Sequence, residues 1–205
     1  DFSLTFDPCS YNGRNHYMPL WLFELDHFDK SNYPDRKCYS YDDFVVHRRI
    51  DLACRKNAVV YVGNNKEPFR VSVLEALSSL GLVVDVYGSH SRPVVDKIGL
   101  ISEYKLCMAF ENSFYPGYTT EKPIHPYLAG TPCLYWGGLI DTRFRQTNAL
   151  FELNNNMSLD EIFGISANIL GRETIDINPL FNLHDISAQM SDIRAFISSI
   201  LSLYE

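Results

Sequence analysis

From residue 58 onward, continuous apolar runs alternate with segments of helical periodicity. AVVYVGNN (58–65) predicts a strand over 58–63 followed by a polar loop that ends at Arg70, and RVSVLEALSSLG predicts a helix stopped at Gly81. LVVDVYG (82–88) reads as a second strand with a glycine exit, and a helix over about 93–104 leads into KLCMAFEN (105–112), the third strand. A helix over 120–129, a fourth strand in TPCLYWG (131–137) and a fifth in ALFEL (149–153) follow. SLDEIFGISANIL (158–170) is a helix opened by Ser158 with Glu161 at capping-box spacing. HDISAQMSDIRAFISSILSLY (184–204) is a long amphipathic helix.

Strands that are apolar on every residue and alternate with helices indicate a parallel sheet covered on both faces, a doubly wound α/β domain. Residues 1–57 do not share the pattern: they hold the aromatic-rich YNGRNHYMPLWLFEL and then polar, tyrosine-rich sequence through SNYPDRKCYSYDDF. A start at Asp1 without Met reads as a piece of something larger.

Composition narrows the classes. A chain of 205 residues, 46% hydrophobic, can bury a full core. No apolar run reaches the roughly 18 residues of a membrane span, and DFSLTFDPCS has no basic segment ahead of an apolar one. A net charge of -7 gives no basic face for wrapping nucleic acid, so an anionic ligand has to be met by a few local cations. The five cysteines are odd in number and lack any CxxC pair; Cys107 and Cys133 fall in apolar strand runs and read as buried free thiols, which favours a reducing compartment.

Ligands of open α/β sheets bind beyond the carboxyl ends of the strands. Two of the most polar loops fall there: GNNKEPFR (63–70) and ENSFYPGYTTEK (111–122). Arg70 and Lys122 lie near helix starts, where a cation adds to backbone N–H donors, an arrangement that fits a diphosphate. GxGxxG and GxxxxGK[ST] are absent, and so is a DxD pair; Asp42-Asp43 reads as a solvated turn, no His/Cys spacing resembles a zinc site, and His125 reads as a wall residue.

CMAFENSFYPGYTTEKPIHPYLAGTPCLYWGG (107–138) resembles the signature of the α-1,3/1,4-fucosyltransferases, glycosyltransferase family 10, in which an "AFENS…Y-TEK…AG-PVYWG" pattern forms much of the GDP-fucose site. GNNKEPFR is similar to that family's "SN…R" loop, and RNHYMPLWL to the segment leading into its nucleotide domain. The likeness is strong over 58–138 and is closest to bacterial or viral members, since the Cys-rich C-terminal pattern of animal members is missing.

The resemblance implies a GT-B architecture: residues 1–57 as the end of an N-terminal acceptor domain and linker, 58–183 as a Rossmann-like GDP-fucose domain, and 184–205 as a C-terminal helix packing back on the domains. It implies inverting transfer of L-fucose from GDP-fucose to a hydroxyl, O3 of GlcNAc or Glc, of an oligosaccharide or lipopolysaccharide-type glycan, without a metal or other cofactor. Arg70 and Lys122 would neutralise the diphosphate leaving group, and Asn112, Ser113, Tyr118, Thr120, Glu121 and Asn64 would bind the donor. Glu111 would orient the loop or touch substrate. The family's general base is a carboxylate placed ahead of Asp1, and neither Glu24 nor Asp26 takes that role. Pro123 and Pro126 depart from the family's smoother helix and should kink or delay it.

Tyr11, Arg14, His16, Tyr17 and Trp21 stack on a sugar or pack between domains. The implied location is cytoplasmic with peripheral association at an inner membrane, or the Golgi lumen in a eukaryote. A second reading is a GDP-sugar-binding module that has lost catalysis.

Overall fold

The computed structural model describes residues 2–26, 38–64, 66–88 and 92–202. Parts of the expected tyrosine-rich stretch (27–37), Asn65 of the first polar loop, and Leu203 and Tyr204 of the expected last helix lie outside these residues.

Two short parallel strands, β1 (Ser3–Thr5) and β2 (Asn15–Tyr17), open the described chain, followed by 3-10 turns at Leu20–Glu24 and Tyr41–Phe44. Then come β3 (Arg48–Asp51), β4 (Lys56–Val62), α1 (Pro68–Ser79), β5 (Val84–Tyr87), α2 (Lys97–Ser102), β6 (Tyr104–Phe110), α3 (Ile124–Ala129) and β7 (Cys133–Trp136). A 3-10 turn at Thr142–Thr147, β8 (Leu150–Leu153), α4 (Leu159–Leu170), β9 (Thr174–Ile177) and α5 (Leu183–Leu201) complete it.

Five strands form one parallel sheet in the order β5-β4-β6-β7-β8. Residues alternate between two cores. On β6, Leu106, Met108 and Phe110 join a cluster with Val73 and Leu77 of α1 and Ile162 and Ile169 of α4. Cys107 and Ala109 join the opposite cluster, with Ile101 of α2 and Ile124 and Tyr127 of α3. Burial on both faces is why these strands read as unbroken apolar runs. The chain order reverses between β4 and β6, so their carboxyl ends flank the topological switch point.

Two expected helices are shorter in the structure. The one expected over 93–104 is confined to Lys97–Ser102: Arg92 bridges back to Gly88, Pro93 disfavours helical backbone before it, and the Asp96 side chain caps the start by accepting from the Gly99 N–H. Val95, inside the expected span, is 95% exposed. The helix expected over 120–129 begins at Ile124 after a turn closed on the Glu121 carbonyl. Pro126 therefore sits in the first turn, where a missing N–H costs little. The capping box at Ser158 and Glu161 is present.

Outside the sheet, β3 pairs antiparallel with β9, and two arginines, Arg48 on β3 and Arg55 just ahead of β4, reach the far end of α3. Arg48 donates to the carbonyls of Leu128 and Tyr127, and Arg55 to those of Ala129 and Gly130 and to the Thr131 hydroxyl. Apart from the Tyr127 carbonyl, which also accepts from the Gly130 N–H, these are carbonyls a helix end leaves without partners, so two cations close α3 where its dipole is negative. Gly130, at φ +64, supplies the left-handed residue that ends it.

Candidate active site

The loop after β6 folds back on its own first residue. Glu111 is fully buried, and its N–H still continues the sheet by donating to the Trp136 carbonyl. Its Oε1 accepts from the Thr120 N–H at 2.8 Å and the Tyr135 hydroxyl at 3.3 Å; its Oε2 accepts from the Thr120 hydroxyl at 2.8 Å and pairs with Lys122 Nζ at 3.1 Å. Burial pushes the Glu111 carboxyl above its usual range, opposed by the charge of Lys122 and the Thr120 hydrogen bonds. Every one of these neighbours donates, so the carboxylate is the form the site is built for.

Lys122 is thereby held: it touches Glu111, the Thr120 hydroxyl at 3.0 Å and Glu121 at 3.7 Å. A second lysine, Lys97 at the start of α2, approaches the same Glu121 oxygen at 3.3 Å. Partial burial raises the Glu121 carboxyl, yet Lys97 and Lys122 together outweigh it and hold the group down at about 2. Lys97 was not among the residues singled out in the sequence; it arrives on the helix that follows β5, the strand on the far side of β4, and no local motif marks it. Both lysines line the cleft between the ends of β4 and β6, with Tyr61, Val62, Phe110 and Pro126.

Arg70, the other cation expected at the diphosphate, lies beneath the loop. It is only 1% exposed, and its Nη2 donates to the carbonyls of Phe110 and Glu111 at 2.9 and 2.6 Å. Glu67 caps α1 through the Arg70 N–H, and Pro68 at the first position fixes the entry, which turns the third-position side chain inward across Tyr61 at 5.3 Å. In this arrangement Arg70 fastens the carboxyl end of β6. Asn64 is exposed beyond β4, near the exit of β5 at Gly88.

The outer half of the loop points elsewhere. Asn112 and Ser113 are exposed and Tyr118 is half-buried, its ring 5.1 Å from that of Phe6. Gly117, at φ +85, brings the loop so near the N-terminal segment that a Cβ would strike the Phe6 carbonyl. Ser113 and Tyr118 line a cavity against that segment, away from Lys122. The structure thus gathers Glu111, Thr120, Glu121 and Lys122 at the switch point with Arg70 beneath, and separates Ser113 and Tyr118 from them.

Of the aromatic residues ahead of the sheet, Trp21 is fully buried and stacks on Phe181 at 4.9 Å, while His16 stacks on Phe196 of α5 at 5.0 Å. Tyr11 is 59% exposed. His125 contacts Glu24 at 3.3 Å. Cys107 and Cys133 face each other across β6 and β7 as buried free thiols, and burial pushes Cys107 up to about 12. Among the described residues no helix is long and apolar enough to cross a membrane, and no group of three or more His, Cys, Asp or Glu is placed to hold a metal ion.

Comparison with known families gives a direct match to this sheet and its loops. The family model for glycosyltransferase family 10 (fucosyltransferase) C-term matches residues 53–160, more than half of the chain. The chain belongs to glycosyltransferase family 10. The alpha-(1,3)-fucosyltransferase FucT of Helicobacter pylori is 29% identical over 161 residues, covering 67% of this chain and 34% of that protein. The 4-galactosyl-N-acetylglucosaminide 3-alpha-L-fucosyltransferase FUT5 of Hylobates lar is 36% identical over 81 residues, covering 38% of this chain and 21% of its own. The family member described here therefore spans about a third or less of these curated relatives. A solved structure of an alpha1,3-fucosyltransferase with GDP superposes with a TM-score of 0.68 at 22% identity, covering 98% of this chain and 69% of that one, which shows a shared fold. A second, with GDP-fucose, gives a TM-score of 0.61 at 22% identity over 89% of this chain and 63% of that one.

Proposed function

We propose that this chain supplies the nucleotide-sugar half of an inverting fucosyltransferase, which moves L-fucose from GDP-fucose to a hydroxyl, O3 of GlcNAc or Glc, of a glycan acceptor. The observation that carries this reading is the convergence of Lys97 and Lys122 on Glu121 at the mouth of the switch-point cleft. In an open α/β sheet that cleft is where a nucleotide lies.

As an acceptor oxygen attacks fucose C1, the C1–O bond breaks and its electrons pass to the β-phosphate of GDP. Negative charge grows on the diphosphate, and Lys122, held within a fixed carboxylate and hydroxyl frame, meets it without having to reorganise. Lys97 adds a second cation from the other wall of the cleft. Glu121, kept ionised by both lysines, accepts hydrogen bonds from donor hydroxyls. Asn112 recognises the donor's sugar or ribose, while Glu111 and Arg70 hold the loop and strand end in place. The acceptor's proton goes to a carboxylate base outside the residues assigned here. The built-in cations do the work that a divalent ion does elsewhere.

Isothermal titration tests the reading. GDP and GDP-fucose are expected to bind in preference to UDP-glucose, with GDP affinity unchanged by EDTA. Equal affinity for UDP-glucose would remove the assignment, and a large loss on chelation would remove its metal-free part.

A further inference from the structure

The cavity between the N-terminal segment and the outer half of the 111–122 loop has no part in the donor chemistry above. It measures about 570 Å³, within the range of small-molecule sites, and is walled by Asp7, Tyr11, Phe6, Ser113, Tyr115 and Tyr118. We propose that this cavity is a binding subsite for a neutral saccharide, held by Asp7 and the tyrosine hydroxyls around it. The proposal rests on the transferase reading and gives its acceptor a place on this chain.

The polar wall is fixed before any ligand arrives. Asp7 Oδ2 accepts from the Tyr11 hydroxyl at 2.5 Å and the Tyr115 hydroxyl at 3.0 Å, and Oδ1 accepts from the Cys9 N–H at 2.9 Å. Three successive left-handed residues, Tyr11, Asn12 and Gly13, turn the chain so that Tyr11 reaches back to Asp7. Asn15 locks the base of the turn, donating to the carbonyls of Asp7 and Cys9 and accepting from the hydroxyls of Ser3 and Thr5.

The chemistry left over selects the ligand class. A carboxylate offers about four lone-pair directions, and three donors leave one; each tyrosine hydroxyl has given its proton and keeps acceptor capacity. The Tyr11 hydrogen bond, then that of the Cys9 N–H, draw the Asp7 carboxyl below its usual range, so it is charged at neutral pH. A wall of acceptors around a negative charge repels phosphate and welcomes hydroxyl donors. The apolar wall consists of Phe6 edge-on to Tyr115 and Tyr118, with centroids 5.8 and 5.1 Å apart, an aromatic surface for the C–H face of a pyranose. Hydroxyl donors on one side and apolar C–H groups on the other describe a sugar ring.

The experiment is a titration of the chain with N-acetyllactosamine in the presence and absence of GDP, followed by saturation-transfer NMR. The disaccharide is expected to bind the wild type, Asp7→Asn to weaken it at least about tenfold, and Tyr115→Phe about threefold, with GDP affinity within about twofold throughout. GDP binding with no disaccharide signal overturns the subsite and leaves the donor reading intact. Disaccharide binding that ignores Asp7→Asn and Tyr115→Phe places the sugar elsewhere and also overturns it. Failure of GDP with a disaccharide signal that depends on Asp7 overturns the donor reading and leaves the subsite standing. Because GDP affinity reports the fold, a variant that merely unfolds is recognised by losing both ligands.

Discussion

The two ends of the 111–122 loop differ more than its sequence implies. At the inner end Glu111, Thr119 and Thr120 are buried, and one carboxylate organises two hydroxyls, a backbone N–H and a lysine. At the outer end, Asn112 through Pro116 are exposed. Both ends are rich in hydrogen-bonding side chains, but the inner ones spend that capacity on each other, while the outer segment is exposed and its Tyr115 hydroxyl reaches across to Asp7. Polarity in a loop therefore marks two separate tasks, holding a shape and meeting a ligand, and burial tells them apart.

The strongest way to break the contrast is Glu111→Ala. It strands four donors and leaves Lys122 without its closest carboxylate, and chemical denaturation is expected to show a loss of about 3–5 kcal/mol. A change below 1 kcal/mol would mean the inner end is not a structural knot. Next comes Lys122→Ala, which removes a charge-assisted contact worth about 1.5–3 kcal/mol and should weaken GDP by roughly one to two orders of magnitude while leaving guanosine almost unaffected. Equal losses for GDP and guanosine would show that the side chain acts through the fold alone.

A pH titration sharpens the comparison further. Glu121 titrates at about 2 in the fold against an ordinary value of 4.5, so the fold favours its ionised form. That stabilisation is present above about pH 4.5 and fades as pH falls toward 2. Urea midpoints of wild type and Glu121→Gln should therefore converge across that window; a constant gap would contradict the pairing with Lys97 and Lys122. The smallest effect belongs to the outer end: Ser113→Ala should change stability by no more than about 0.5 kcal/mol by thermal denaturation.

The sheet was legible because burial on both faces of β6 and β7 leaves unbroken apolar runs, and the half-buried edge strands β5 and β8 still fall in mostly apolar segments. The strands β1, β2, β3 and β9, three or four residues each, were not: Arg48 to Asp51 alternates exposed and half-buried residues and finds its partner more than 120 positions away. Ser158 and Glu161 could be read as a cap because both members lie within one turn. Lys97 could not be read as a site residue, because it meets Glu121 only through the sheet's crossing order. Arg70 was legible as a residue of the first helical turn, while the side of the helix it takes depends on the cap at Glu67.

The two arginines that close α3 bear on where this protein can be divided. A boundary placed at β4 would keep every strand of the five-stranded sheet and still discard Arg48, Arg55 and the strand that pairs with β9. Arg48 and Ile177 stand opposite each other as register partners, so the stretches before and after the sheet leave it side by side. Both send residues back into the core under it, Trp21 and Phe44 from ahead of β3 and Phe181 from beyond β9. A shortened form that keeps the lysines of the cleft in place therefore has to start ahead of Trp21 and run past Phe181.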